Sequence, residues 1–486
     1  MRDDRDNDYL AGLVNELSKH ETEWVEFKVN QSDPQAIGEY ISALANAAAL
    51  AGKIHGYLIW GVRDGDHTIV GTIFDPEAER KGNEEMESWL LRLLNPRIDF
   101  RFYEVTVDAQ RVVLLEIDRA SRHPVAFSGI EYIRVGTNKK KLKDYPEKER
   151  ALWRFFDRIR FEDGKAAERV SADVVLLKLD YPAYFDLLEA PLPDGRAAIL
   201  DALQSDRLIA PSEAGGFGIT ILGAILFAKR LDDFPTLQRK AIRVIQYRGK
   251  GRTETLREHV YSKGYASGFA GLLGYLNGLL PTNEVVGQAL RRTFPMFPEL
   301  AVRELVANAL IHQDFFVTGA GPMVEIFEDR IEITNPGEPL VDTQRFVDTP
   351  PKSRNEALAS MMRRFRICEE RGSGIDKVVL QVELFQLPAP LFEVPPGFTR
   401  AVLFAYKPLT DMDKADRIRA CYLHACLKYV TRDFLTNASL RERFGIEERN
   451  KATASRYIRE AVEAGAIKPF DEEAARRLMK YVPFWA

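Results

Sequence analysis

Glu21-Thr22-Glu23-Trp24-Val25-Glu26-Phe27-Lys28 alternates as a strand does, with Val25 and Phe27 on one face and Trp24, Glu26 and Lys28 on the other. A carboxylate and an ammonium therefore share a face. Tyr57-Leu58-Ile59-Trp60-Gly61-Val62-Arg63-Asp64 is an apolar run that meets Asp64-Gly65-Asp66 and then the β-rich Thr68 to Ile73, which predicts a hairpin with Asp64 at its turn. Tyr9, Leu10, Leu13, Val14 and Leu17 recur at helical spacing ahead of the first strand. Ser32-Asp33-Pro34 caps a second helix, whose stripe is Ile37, Ile41, Leu44, Ala45 and Ala48. A helix over 84–94 and strands over 100–107, 111–117 and 131–135 complete an α+β domain.

If the two strands are neighbours, Glu21, Glu26 and Asp64 converge beside Lys28. Hard divalent cations take oxygen ligands, with phosphate and water completing the shell, and a lysine stabilises charge developing on phosphate. Such a group suits a phosphodiesterase that uses Mg2+ or Mn2+. The same residues also suit a solvated Glu26–Lys28 pair and an aspartate chosen for its turn chemistry.

At 486 residues the chain exceeds what one core organises. The expected multidomain α+β layout is an N-terminal domain over 1–145, a helical connector over 146–172, a mixed α/β module over 173–290, an α/β sandwich over 291–408 and a helical domain over 409–486. The net charge of −4 repels phosphate, so nucleic-acid contact must come from local patches. Lys139-Lys140-Lys141 with Lys143 is one such patch, or else a solvated loop. Cys368, Cys421 and Cys426 are too few and too poorly spaced for a zinc site or a disulfide framework, which fits a reducing cytoplasm. No stretch approaches a membrane span and the opening residues lack a signal-peptide core, so a soluble, cytoplasmic protein with no membrane partner is expected. A homo-oligomer is expected as well.

Leu300 to His312 is the best-patterned helix, with Glu304 and Asn308 four residues apart and so on one side. The pair suits a general base beside a metal-holding amide, or else a solvated helix face. Downstream lie the strand-like Met323 to Phe327 and Arg330 to Thr334, then Asn335-Pro336-Gly337, Lys352-Ser353-Arg354-Asn355 and Arg371-Gly372-Ser373-Gly374-Ile375. Glycines before a helix let backbone N–H groups approach an anion, and Arg371 adds charge. Arg354 either reaches phosphate or caps the helix that follows. Near the C-terminus, Ser439 to Ile446 precedes Lys451 to Val462 and Gly465-Ala466-Ile467-Lys468, with Lys451, Arg456 and Arg459 on the second helix. The aromatic end, Tyr481 to Ala486, is expected to pack on a neighbour.

These segments carry three resemblances. The Glu-rich strand, Ala43-Leu44-Ala45-Asn46-Ala47, Gly61-Val62-Arg63-Asp64 and Tyr132-Ile133-Arg134-Val135-Gly136-Thr137 resemble the Schlafen/AlbA-type nucleic-acid-binding domain. That resemblance implies an acidic nuclease triad on Glu21, Glu26 and Asp64. The order of helix, Asn-Pro-Gly turn and Gly-x-Gly resembles a divergent GHKL-type ATP-binding domain, related to the C-terminal part of RecG-like helicases. It implies Glu304 as water activator, Asn308 as magnesium ligand, Asn335 and Gly337 at the adenine, Gly372 and Gly374 at the phosphates, and Arg354 on a nucleotide lid. Asn335 stands where that family carries an acid, so its bond to adenine would be neutral and weaker. The C-terminal helices resemble a winged helix-turn-helix, which implies either DNA binding or dimerisation.

Together these features predict a nucleic-acid-acting, ATP-binding protein, with a metal-dependent nuclease in its N-terminal domain, serving defence or regulation and using DNA or RNA. The alternative is a non-enzymatic, ATP-responsive DNA-binding regulator.

Overall fold

The computed structural model describes residues 7–121, 123–156, 160–212, 215–280, 282–286, 291–350, 352–368, 373–473, 475 and 478–486, with backbone alone for 282–286 and 291–295. The chain forms two compact units, Met1–Ile159 and Arg160–Ala486.

In the first unit α1 (Asn7–Leu17) precedes β1 (Val25–Lys28), α2 (Pro34–Leu50) and β2 (His55–Trp60). β1 and β2 are parallel, pairing Val25 with Tyr57 through Lys28 with Trp60, so the chain must cross over between them and α2 is the crossover. Asp33 starts α2 by accepting from the Gln35 and Ala36 amides, and Pro34 takes the first turn, where its missing N–H costs nothing. A small hairpin, β3 (Arg80–Lys81) and β4 (Glu84–Glu85), leads to α3 (Met86–Leu93) and β5 (Leu94–Asn95). There follow β6 (Phe100–Val107), β7 (Gln110–Asp118), β8 (Ala126–Phe127), β9 (Ile130–Val135), β10 (Asn138–Lys141) and α4 (Pro146–Phe156).

The strands form two four-stranded sheets, β1-β2-β7-β6 and β10-β9-β8-β5. Small residues let α2 pack closely on both: Ala43, Ala45, Ala48 and Ala49 are wholly buried. On the same helix, Asn46 donates to the Val125 and Tyr132 carbonyls at 3.0 and 2.8 Å and accepts from the Val125 amide at 2.7 Å. These bonds satisfy backbone groups of Val125 and Tyr132 inside the domain. The hairpin expected after β2 shrinks to a single bridge, Val62 to Ile69. Gly61, at φ +97°, turns the chain aside, and its carbonyl accepts from both Val70 and Gly71 at 2.8 and 3.1 Å.

The second unit opens with β11 (Lys165–Val170), α5 (Ala172–Lys178), α6 (Tyr181–Leu187), α7 (Arg196–Ser205), β12 (Ile209–Pro211), β13 (Phe217–Thr220) and α8 (Ile221–Phe227). Next are β14 (Ile242–Tyr247), β15 (Thr255–Tyr261), α9 (Tyr265–Leu279), β16 (Thr282–Val286), β17 (Arg291–Pro295), α10 (Glu299–His312), β18 (Met323–Ile326) and β19 (Arg330–Pro336). α11 (Glu356–Arg364), α12 (Gly374–Leu384), β20 (Leu391–Glu393) and β21 (Phe398–Phe404) complete the central layers.

Six strands make one sheet in the order β15-β14-β18-β19-β21-β20. It takes β14 and β15 from the span 173–290 and the other four strands from 291–408, joined by the parallel pairing of β14 with β18. Along β19, Ile331 and Ile333 face the helices and enter the core shared with α8 to α12, which places Asn335 on that side too. Glu332 faces the other way, where Arg252 pairs with it and with Glu325 at 2.9 and 2.7 Å.

The chain ends in α13 (Lys414–Val430), α14 (Asn437–Phe444), α15 (Lys451–Glu463) and a hairpin of β22 (Ile467–Pro469) with β23 (Tyr481–Pro483). The aromatic end packs back on α13: the Trp485 indole N–H donates to the Tyr422 hydroxyl at 3.0 Å. Among the described residues no helix is long and apolar enough to cross a membrane.

Candidate functional site

A cavity of about 610 Å³ opens in the second unit between α10, α12 and the segment following β19. Glu304, Asn308 and His312 line it from successive turns of α10, a row of roughly 12 Å given the rise of an α-helix. Asn335, Arg354 and Gly374 line it as well, so five residues singled out from sequence share one cavity. Gly374 leaves little room for a side chain: a Cβ there would lie 3.0 Å from Glu304 Oε2 and 3.8 Å from Asn308 Nδ2. The first turn of α12 therefore abuts the Glu304 carboxyl. Burial raises the Glu304 pKa, while Arg303 and Lys377 pull it back.

At the far side, Asn335 pairs across the ladder with Thr399 and donates through Nδ2 to the Pro336 carbonyl at 3.1 Å. The Thr399 hydroxyl donates to the Gly337 carbonyl at 2.7 Å. Gly337 shapes the turn and does not line the cavity: its φ is +96°, and a Cβ would lie 2.7 Å from that of Asp314. Arg354 donates to the carbonyls of Glu338 and, at 3.4 Å, His312. These bonds hold its guanidinium at the cavity rim. Arg371 and Gly372 lie outside the described residues.

Sequence reasoning missed several residues here. His312 sits eight positions after Glu304, a spacing that keeps it on the same helical face. Burial, with Arg354 adding to it, pushes its imidazole down to about 4, so it is neutral near pH 7. Lys352 and Arg363 bring further cations to the wall. Asn355 donates to the Ile311 and Gln313 carbonyls at 2.7 and 2.8 Å and so closes the C-terminal end of α10.

The N-terminal acids are arranged differently from expectation. Arg134 of β9, entirely buried, donates to Glu21 at 2.7 Å and pairs with Glu26, which also takes the Lys28 ammonium. Glu23 binds Lys148 at 2.8 Å and the Gly136 amide at 3.1 Å. Asp64 is exposed, and the turn bonds are made by Asp66 instead, to the Thr68 amide at 3.1 Å and hydroxyl at 2.8 Å. Among the described residues no group of three or more His, Cys, Asp or Glu side chains is placed to hold a metal ion. The structure therefore does not assemble the expected three-acid Mg2+ or Mn2+ centre on Glu21, Glu26 and Asp64: the Arg134 guanidinium pairs with both Glu21 and Glu26, Asp64 is exposed in the turn after β2, and Lys28 is one arm of an ion-pair lock.

The basic patch is split. Lys139 pairs with Glu39 at 2.6 Å and lies 4.3 Å from the centre of the Tyr40 ring, whereas Lys140, Lys141 and Lys143 are exposed. On α15, Lys451, Arg456 and Arg459 are all exposed along one face with Ser455, and Arg456 comes within 4.0 Å of Glu460.

Comparison with known proteins agrees with this division. Residues 21–143 match the family model described as "Schlafen, AlbA_2", and residues 319–403 match "Putative ATP-dependent DNA helicase recG C-terminal", the HATPase_c_4 model. No curated protein matches the chain. Among solved structures, the DIP2311 protein of Corynebacterium diphtheriae is 18% identical, with 98% of this chain and 97% of that one covered and a TM-score of 0.42. The N-terminal domain of a RecG-related protein of Nitrosomonas europaea is 21% identical, with 27% and 90% covered and a TM-score of 0.19. The chain thus carries a Schlafen AlbA_2 domain and a RecG C-terminal-like ATPase-type domain.

Proposed function

We propose that this chain is an ATP-binding regulator that acts on nucleic acid, with nucleotide held in the cavity of the second unit. The observation that carries the reading is the convergence of Glu304, Asn308, Asn335, Arg354 and Gly374 around one space the size of a small-ligand site. Each has a fitting job. Asn335, whose amide nitrogen is engaged by Pro336, offers its oxygen to an exocyclic amino group. The start of α12 and the cations Lys352, Arg354 and Arg363 suit a polyphosphate. Asn308 suits a Mg2+ ion whose other ligands are phosphate oxygens and water, and such an ion would neutralise phosphate charge. Glu304 is the group placed to take a proton from water should turnover occur.

Of the two functions read from sequence, the regulator is preferred. With Glu21 and Glu26 both engaged by Arg134, the acids that a nuclease would use are occupied by an internal cation. Nucleic-acid contact falls to the exposed lysines after β9 and to α15, docked as the second helix of a winged helix-turn-helix.

Gly374→Leu tests the cavity assignment. The backbone at a helix start accepts leucine, but the new side chain must enter the space against Glu304. Equilibrium dialysis should show ATP bound by the wild type and binding lost in the variant; equal affinity in both would remove the site. Incubating the wild type with magnesium and DNA or RNA tests the other half. Intact substrate is expected, and cleavage abolished by Glu26→Gln would restore the nuclease.

A further inference from the structure

The segment from Pro339 to Pro350, with Arg354 beyond it, has two sides. Leu340, Phe346 and Arg354 stand in the cavity wall, whereas Val347 is buried in the core of the C-terminal helices with Cys421, Leu423 and Ala454. Two contacts fasten it there. The Tyr422 hydroxyl of α13 donates to the Gln344 carbonyl and accepts the Trp485 indole N–H at 3.0 Å. The Arg345 guanidinium lies 4.1 Å from the centre of the Trp485 ring, steadied by Asp348 at 2.8 Å.

A second connection runs through α12. Ile375, in its first turn, lines the cavity and packs against both the central and the C-terminal cores. At the other end of the same helix, Glu383 meets His424 of α13 at 3.0 Å and Arg443 of α14 at 3.5 Å. His424 and Arg443 are buried, so these are fixed contacts with little freedom to slide.

We propose that the C-terminal helical module reads the occupancy of the cavity, through the Pro339–Pro350 segment and α12 as two parallel connections. The inference rests on the nucleotide reading above and adds to it the place where the signal goes. The module holds the segment in its cavity-lining position, so the cost of ordering it is met before the ligand arrives. Linkage is reciprocal: nucleotide that grips the segment must tighten the module, and loosening the module must weaken nucleotide. Because α15 belongs to the same module, the surface presented to nucleic acid is the one that nucleotide would bias.

The test needs no nucleic acid. Calorimetry on the full chain gives the ATP affinity of wild type, Tyr422→Phe and Trp485→Phe, and hydrogen exchange of α13 is followed with and without ATP. The Kd is expected to rise about fivefold in Tyr422→Phe, at the lower end of couplings between sites, and ATP is expected to slow exchange in α13. Should Tyr422→Phe not fold, Trp485→Phe and the wild-type exchange data decide alone. Wild-type binding with no change in α13 exchange would overturn the coupling and leave the nucleotide site standing, even if the variants bind less well. Absence of ATP binding by the wild type would overturn both.

Discussion

Glu26→Gln removes one buried charge and barely alters side-chain shape, and the sign of its effect separates a cation site from an ion-pair lock. In a cluster of acids awaiting a metal, like charges repel, and neutralising one stabilises the metal-free protein. In the arrangement seen, Glu26 is 3% exposed and faces Arg134, whose side chain is 0% exposed. Removing one partner of a buried pair costs about 3–5 kcal/mol because the other charge is left without compensation. Glu21 still holds Arg134 in the variant, so the lower figure applies, about 3 kcal/mol. Converted at 1.4 kcal/mol per tenfold, that is roughly a 150-fold larger opening equilibrium. Amide hydrogen exchange at Val25–Lys28, measured on the full chain in the presence of a chelator, reads this directly. Exchange about a hundredfold faster is expected, and Arg134→Met should act in the same direction. Unchanged or slower exchange in Glu26→Gln would refute the lock and return the acids to the metal.

His312 predicts a pH dependence. A histidine held at about 4 in the folded chain, against 6.5 for the free group, takes its proton more readily when unfolded. The stability it contributes is therefore complete above about pH 6.5 and is lost as pH falls toward 4. Between pH 7 and 5 the loss is about 2 kcal/mol, so wild type should lose that much more stability than His312→Asn in urea titrations; parallel losses would show that the imidazole is not shielded. Replacing Lys451, Arg456 and Arg459 together by alanine should weaken duplex DNA binding and reduce the slope of log K against log salt by about 2.7, at about 0.9 per phosphate contact. An unchanged slope would place α15 away from the nucleic acid.

Local pattern was legible and long-range pairing was not. α2 announced itself through its cap and apolar spacing and α10 through apolar spacing, and Glu304 and Asn308 followed because a helix places residues four apart on one side. Arg134 read as an ordinary strand residue, since nothing local ties it to Glu21, 113 positions away. For the same reason the boundary at 290 did not foretell a sheet in which β14 pairs with β18. The hairpin at Asp64 is cut short for a local reason: glycines at 61 and 71, both with positive φ, bend the chain away after one bridge. Nor could periodicity reveal that Val347, in a polar loop, is buried under α13.

Photoaffinity labelling with 8-azido-ATP, followed by mass spectrometry of the cross-linked peptides, asks where the base of the nucleotide sits. Label on peptides containing Asn335 or Thr399, suppressed by excess ATP and lost in Gly374→Leu, is the result expected if the cavity holds ATP. Suppressible label confined to other segments, with Asn335 and Thr399 untouched, would contradict it.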